Sequence, residues 1–380
     1  MKAILMNTAG DAGVLQLKEI SKPELPTAHH MRVKLVAAGL NPLDTKLRAK
    51  AVYYPDKLPA ILGCDGAGIV EKTGSEVTRF KAGDAVYFCN GGIGDEPGNY
   101  AEYTTLHEEY CASPPANISL EDAAALPLAY LTTWEALVDR VNLQAGQTIL
   151  IHAAAGGVGH LAVQFAHQLG ARIAVTAGDI KKSGLAHAFG AEKLILYKEQ
   201  DFVQETLNWT SELARSPHPN PDETTSHSTR LSKDDSQVAG YLPEGEGTNE
   251  RLREFHNKWA GVDVVFDTVG GETFLRSLHA VRAKGKIVSL LSTPLSLADT
   301  QLARLRNLSI CYELMLAPQL MKLHEERVRQ RKLLEHCTRQ VEAGELGVLV
   351  THRYPLAQAA DAHRLLEAGG ITGKIILTMD

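Results

Sequence analysis

The chain is short of three things that would each point to a particular class of protein. No run approaches ~18 consecutive apolar residues, so there is no candidate membrane span. There is no basic excess either: 39 Lys+Arg stand against 45 Asp+Glu, a net charge of -6. That argues against a general nucleic-acid or anionic-membrane binder, because phosphates need cations to neutralise them. Cysteines number five in 380 residues, and Cys64, Cys89, Cys111, Cys311 and Cys337 include no Cys-x-x-Cys pair. Such usage suits a reducing compartment and offers no metal-ligand spacing. The apolar run at Met1 to Met6 is too short for a signal peptide. The expectation is a cytoplasmic globular protein, long enough for two domains.

What is present is organised around Thr148-Ile149-Leu150-Ile151-His152-Ala153-Ala154-Ala155-Gly156-Gly157-Val158-Gly159. An apolar β-branched run ends in small residues, and a helical pattern follows with Leu161, Phe165 and Leu169 on one side and His160, Gln164, His167 and Gln168 on another. Strand, glycine turn and helix in that order bring a pyrophosphate against backbone N–H groups at a helix N-terminus. Gly156 and Gly157 carry no Cβ to hold the phosphates off, and Gly159 lets helix and strand pack closely. Alternating strands and helices continue through Arg172–Thr176, Ile180–Phe189 and Lys193–Tyr197, with helices closing on Gly170 and Gly190. This is the signature of an α/β, doubly wound parallel sheet.

The rest of the chain reads differently. Residues 1–123 form short alternating strands broken at Asn41-Pro42, Gly74-Ser75 and Lys81-Ala82-Gly83-Asp84, with no long amphipathic helix. Ser119 with Asp122 resembles a helix N-cap. The segment 208–256 is rich in Pro, Ser, Thr and acid and poor in apolar residues, so it reads as a polar, largely disordered excursion from the sheet. Strands resume at Val262–Asp267 and Gly285–Ser292, and the chain ends in β text at Gly373–Thr378.

The order of Asn41-Pro42-Leu43-Asp44-Thr45, Leu62-Gly63-Cys64-Asp65-Gly66-Ala67-Gly68-Ile69-Val70, Ala153 to Gly159, Phe266-Asp267-Thr268-Val269-Gly270-Gly271 and Gly373-Lys374-Ile375-Ile376-Leu377-Thr378 resembles the medium-chain dehydrogenase/reductase superfamily. Within it, the zinc-independent, zeta-crystallin-like quinone oxidoreductase branch is most similar. The resemblance implies a GroES-like catalytic domain built from 1–123 and 306–380, with a Rossmann NAD(P)-binding domain, 124–305, between them. It implies cofactor contacts from Ala155, Gly156, Gly157 and Val158 at the pyrophosphate, Gly178, Lys182 and Tyr197 at the adenosine end, and Thr132, Leu290 and Ser292 near the nicotinamide. Asn41 and Tyr53 would orient and hydrogen-bond the substrate. Lys182 matches the 2′-phosphate lysine of NADP-using relatives, whereas Asp179 departs from the usual Ser or Thr before it. NADPH is therefore favoured, with NADH left open. The positions matching the catalytic zinc ligands are Asn41, Cys64 and about Leu128. A catalytic zinc needs three N, S or O ligands, so no zinc is expected.

The implied activity is hydride transfer from NADPH to a quinone or an activated enone or enal, which are electrophilic enough to need no Lewis acid. A homodimer is implied by the habit of relatives. Two alternatives stand beside this: a non-catalytic NADPH-binding redox sensor or RNA binder, since dehydrogenase folds are reused, and a zinc-type alcohol dehydrogenase.

Overall fold

A computed structural model describes residues 1–51, 57–94, 96–179, 183–215 and 260–379. Strands β1 (Lys2–Met6) and β2 (Leu15–Glu19) pair as an antiparallel ribbon. The amino-terminal part then supplies β3 (His30–Leu40), β4 (Asp65–Thr73), β5 (Ala85–Cys89), β6 (Tyr103–His107) and β7 (Cys111–Ala112). The central part supplies β8 (Thr148–Ile151), β9 (Arg172–Ala177), β10 (Lys193–Leu196), β11 (Val262–Asp267), β12 (Val281–Ser289) and β13 (Ser309–Tyr312), and the carboxyl end adds β14 (Val350–Pro355) and β15 (Lys374–Thr378).

Among the described residues the central strands form one parallel sheet in the order β10-β9-β8-β11-β12-β13. Its strands are continuous apolar runs because helices cover both faces. Ile149, Ile151, Ile173, Val175 and Val264 pack on one face with Val163 and Phe165 of the helix Gly159–Gln168. Leu150, Ala174, Val265 and Ile287 pack on the other with Phe274, Leu278, Phe202 and Trp209. The order reverses direction at β8, and in open α/β sheets that switch point lies beside the ligand crevice.

The second sheet runs β14-β15-β3-β4-β5-β7, with β6 also on β3. The two ends of the chain meet in it, since β15 pairs antiparallel with the end of β3, Ile375 opposite Leu40.

Two boundaries differ from expectation. The polar excursion does not begin at 208: the helix Phe202–Arg215 runs through it, burying Phe202, Thr206 and Trp209 at helical spacing. Residues 216–259 lie outside the described residues. The strands of the central sheet do not end before 306, because β13 pairs parallel with β12, Cys311 opposite Val288. The amino-terminal part, expected to hold no long amphipathic helix, contains the short helix Pro42–Lys50, started by Pro42 in its first turn. Ser119 does cap its helix, accepting from Asp122 N–H at 3.0 Å. No helix among the described residues is long and apolar enough to cross a membrane.

Candidate active site

A cavity of about 340 Å³ opens where the two sheets meet. One side of it is the glycine turn: Ala153, Gly156, Gly157, Val158 and Gly159 all line it. Ala153 turns with φ 53°, and the Gly156 N–H closes the turn on Ala153 O at 2.9 Å. Gly156 therefore serves the phosphate site by lacking a side chain. A Cβ on Gly159 would lie 2.2 Å from Ala153 O, so helix and strand need glycine there to approach. The helix Gly159–Gln168 points its N-terminus, about half a positive charge, into the cavity. This cradle fits a pyrophosphate.

His160 and Gln164, the polar side of that helix, are buried against the carboxyl-terminal part of the chain. His160 Nδ1 bonds Gly156 O at 2.8 Å, and its Nε2 accepts from Leu349 N–H at 3.2 Å. The imidazole is neutral, since one nitrogen must donate and the other accept. Burial pushes its pKa down to about 4. Gln164 bonds both the carbonyl and the N–H of Gly347. The Gly373 N–H adds a further tie, donating to Ala155 O at 2.7 Å.

The opposite wall is built on Asn41. Its backbone is the N-cap of Pro42–Lys50, and its own N–H is taken by Asp44 Oδ2 at 2.8 Å. The side chain is thus left to face the cleft. Asn41 Nδ2 donates to Asp65 Oδ2 at 2.9 Å, and Lys374 Nζ donates to Asn41 Oδ1 at 2.5 Å. A lysine ammonium can only donate and a carboxylate only accept, so the amide has one possible orientation. Lys374 also reaches Asp65 Oδ2 at 3.5 Å, and all three residues are at most 3% exposed. Asp65 Oδ1 accepts from Leu128 N–H at 2.8 Å, so a carboxylate caps the helix Pro127–Trp134 from outside it. One turn on, Thr132 lines the cavity with its hydroxyl donating to Leu128 O at 2.7 Å.

The electrostatics of this wall follow from burial. Burial pushes the Asp65 carboxyl up, while Lys374, Asn41 and the Leu128 N–H pull it back. Asp44 is pushed up to about 7, by burial first and then by the Asp65 charge, against the hydrogen bond from Asn41. Only one ammonium serves two buried carboxyl groups, so the second holds its proton near neutrality.

The positions matched to zinc ligands do not form a donor set. Asn41 is engaged by Asp65 and Lys374, and Leu128 offers only its backbone N–H. Cys64 is buried outside the cavity lining, its thiol raised well above the ordinary value by a bond with Cys89 and then by burial. Among the described residues no group of three or more His, Cys, Asp or Glu is placed to hold a metal ion.

Of the residues expected at the site, Asn41, Thr132, Gly156, Gly157, Val158 and Leu290 line the one cavity. Ala155 lies buried behind the turn. Gly178 and Tyr197 sit together at the ends of β9 and β10, where a Cβ on Gly178 would lie 3.2 Å from the Tyr197 hydroxyl. Tyr197 is 52% exposed, on the open side expected for adenosine. Ser292 is exposed and outside the cavity lining. It follows a bend at Leu291, and Thr293 instead turns inward to accept from Gly271 N–H at 2.9 Å. Tyr53 and Lys182 lie outside the described residues. Sequence reasoning missed Asp65, Lys374 and Glu313 as site residues, although an Asp and a Lys inside otherwise apolar or glycine-rich strands are a readable sign of a buried pair.

Comparisons with known proteins bear on the family and the fold. The family "Alcohol dehydrogenase GroES-like domain" matches residues 27–116, and "Zinc-binding dehydrogenase" families match 157–217 and 246–377. The chain is 31% identical over 376 residues to a quinone oxidoreductase of Pseudomonas aeruginosa, covering 99% of each chain. It is 30% identical to quinone oxidoreductase 1 of Escherichia coli K12, over 97% of this chain and 96% of the other. The crystal structure of Escherichia coli quinone oxidoreductase complexed with NADPH superposes with TM-score 0.76 and 28% identity, covering 100% of both chains.

Proposed function

Because the chain belongs to the medium-chain dehydrogenase/reductase superfamily, in its quinone oxidoreductase branch, we propose that it is an NADPH-dependent oxidoreductase that passes a hydride to a quinone or an activated enone or enal, without a catalytic zinc. The observation that carries this reading is the chain Leu128 N–H, Asp65, Asn41 and Lys374 in place of a metal donor set, facing a glycine turn across one cavity.

A reduced nicotinamide bound there supplies two electrons as hydride. The protein's part is to hold, orient and compensate charge. Gly156, Gly157 and Val158 with the following helix N-terminus hold the pyrophosphate. Thr132 and Leu290, which line the cavity, would border the nicotinamide. Lys374 and Asn41 set a fixed positive potential beside the acceptor. Each has a hydrogen the network does not use, since an ammonium has three and an amide two. Preorganised donors of this kind stabilise an oxyanion as it forms. Leu43, Leu128, Leu314, Leu316 and Ile371 add apolar surface to the wall, suiting a flat, weakly polar acceptor.

The test is a panel: simple quinones, α,β-unsaturated ketones and aldehydes with NADPH, and primary alcohols with NADP⁺, on metal-analysed protein. NADPH oxidation with quinones or enones in protein free of stoichiometric metal is the expected result. Tight NADPH binding with no acceptor turned over would make this a binding protein. Bound zinc with alcohol oxidation would make it a dehydrogenase.

A further inference from the structure

The cavity wall holds a further buried acid that the Asn41 network does not touch. Glu313, the first residue after β13, lines the cavity, and its side chain is 1% exposed. Its Oε2 accepts from Arg140 Nε at 2.6 Å. Its Oε1 is buried and accepts no hydrogen bond among the described residues. In side-chain contact with it lies Glu135, also buried, in the π-helical turn Glu135–Arg140 that continues the helix bearing Thr132. Glu135 Oε1 accepts from Gln330 Nε2 at 2.9 Å. Two ionised carboxylates in such contact repel, and a buried acceptor without a donor keeps its desolvation penalty. One proton placed between them removes both penalties.

We propose that Glu135 and Glu313 hold one proton between them at the wall of the cavity and that Glu313 delivers it to the oxygen of the reduced acceptor. This rests on the reading of the cavity as a reductase site. Hydride addition to a quinone or enone leaves an anion, and the reaction is complete only when a proton joins it. The new O–H bond forms on the acceptor as the carboxyl O–H of the pair breaks. Both glutamates are then ionised until water returns a proton along Arg140, which is 49% exposed.

The surroundings suit a proton that is held but not locked. Burial raises the Glu135 carboxyl well above its usual range and the Glu313 charge adds to this, while Gln330 and Arg329 work against it. Two cations face the pair, Arg140 and Arg329. Arg140 comes from the same turn, and Arg329 from the helix His324–Glu342 stands 3.9 Å from Glu135 Oε1. Arg329 is itself shared with Asp139 at 2.5 Å and Glu326 at 4.0 Å, and Cys311 of β13 faces Arg140. These cations steady the pair once its proton has left.

Two isosteric variants, Glu135→Gln and Glu313→Gln, test this in the full-length protein. Infrared spectroscopy of the free protein should show, beyond the band of the protonated Asp44, a second protonated carboxyl band that fades on alkaline titration. The band should be missing in Glu135→Gln and should fade at lower pH in Glu313→Gln. Both variants should bind NADPH with unchanged affinity and lose about 100-fold or more in kcat, the range of general acid catalysis. The alkaline fall in the wild-type rate should disappear with them. An active wild type whose variants keep kcat and its pH profile overturns the delivery step, and total neutral-pH carboxyl absorption that neither variant reduces overturns the shared proton. A wild type inactive on every acceptor overturns the reductase reading and the delivery step together, while the infrared result still decides whether the proton is shared.

Discussion

Replacing Lys374 by Met tests the wall of the cavity most severely. Methionine keeps an unbranched apolar stem and removes the ammonium, leaving Asn41 Oδ1 and Asp65 Oδ2 facing no cation. Breaking a buried pair by removing one partner costs about 3–5 kcal/mol, because an uncompensated charge stays behind. At roughly 2–4 °C per kcal/mol for domains of this size, the melting temperature should fall by about 6–20 °C at neutral pH. The loss should also depend on pH in a defined direction. Without Lys374 the folded-state pKa of Asp65 rises further above its unfolded value of about 3.9, so the folded state binds the extra proton. The variant should therefore be least impaired in mild acid and lose stability as pH rises from about 4 towards neutrality. Adding Asp65→Asn removes the stranded charge and should restore most of the loss, because the introduced amide can donate to Asn41 Oδ1. Urea unfolding followed by tryptophan fluorescence, between pH 5 and 8, reads all three effects. A Lys374→Met protein within about 1 kcal/mol of wild type, the usual range of an exposed pair, would refute the argument, as would a loss independent of pH.

Three further outcomes follow from the same geometry. Gly159→Ala must push its Cβ into Ala153 O at 2.2 Å and Ala154 Cα at 2.8 Å, both backbone, so thermal stability should fall by about 1–3 kcal/mol; Gly156→Ala meets only Ala153 O at 3.2 Å and should keep its melting temperature while losing NADPH affinity by titration. His160 has a folded pKa of about 4 against about 6.5 unfolded, so its contribution is complete above pH 6.5 and is lost as pH falls to about 4, up to about 3 kcal/mol; the stability gap between wild type and His160→Gln should narrow over that window, and parallel curves would contradict the assignment. Lys182→Ala should weaken NADPH by about 1.5–3 kcal/mol, the worth of a hydrogen bond to a charged group, and NADH hardly at all in parallel titrations; equal weakening would remove Lys182 from the 2′-phosphate.

Much of this was legible before the structure because it is local. The run Thr148–Ile151, the glycines to Gly159 and the helix after them declare strand, turn and helix within a dozen residues or so. The pairing of the chain's two ends came from the joint order of motifs. What escaped is long-range. Resemblance put Asn41 at the substrate, but nothing local shows that its side chain is held by Asp65 and by Lys374, 333 positions away. Polar composition hid the helical spacing of Phe202, Thr206 and Trp209, which marks a buried face continuing past 208. The four-residue strand Ser309–Tyr312 lies at a sheet edge with exposed ends, so it carries too little apolar pattern to show which sheet it joins. Glu313 next to it looks like an ordinary surface acid until the fold brings Glu135 alongside.

The measurement that bears most directly on the central claim is transfer of a label. NADPH carrying deuterium at C4 of the nicotinamide, given to metal-depleted protein with an α,β-unsaturated ketone, should place one deuterium on carbon in the reduced product, read by mass spectrometry. The account predicts that label, from one face of the nicotinamide only, at a rate unaffected by chelators. NADPH bound in the cleft with no deuterium delivered to any acceptor, or delivery that stops when zinc is removed, would contradict it.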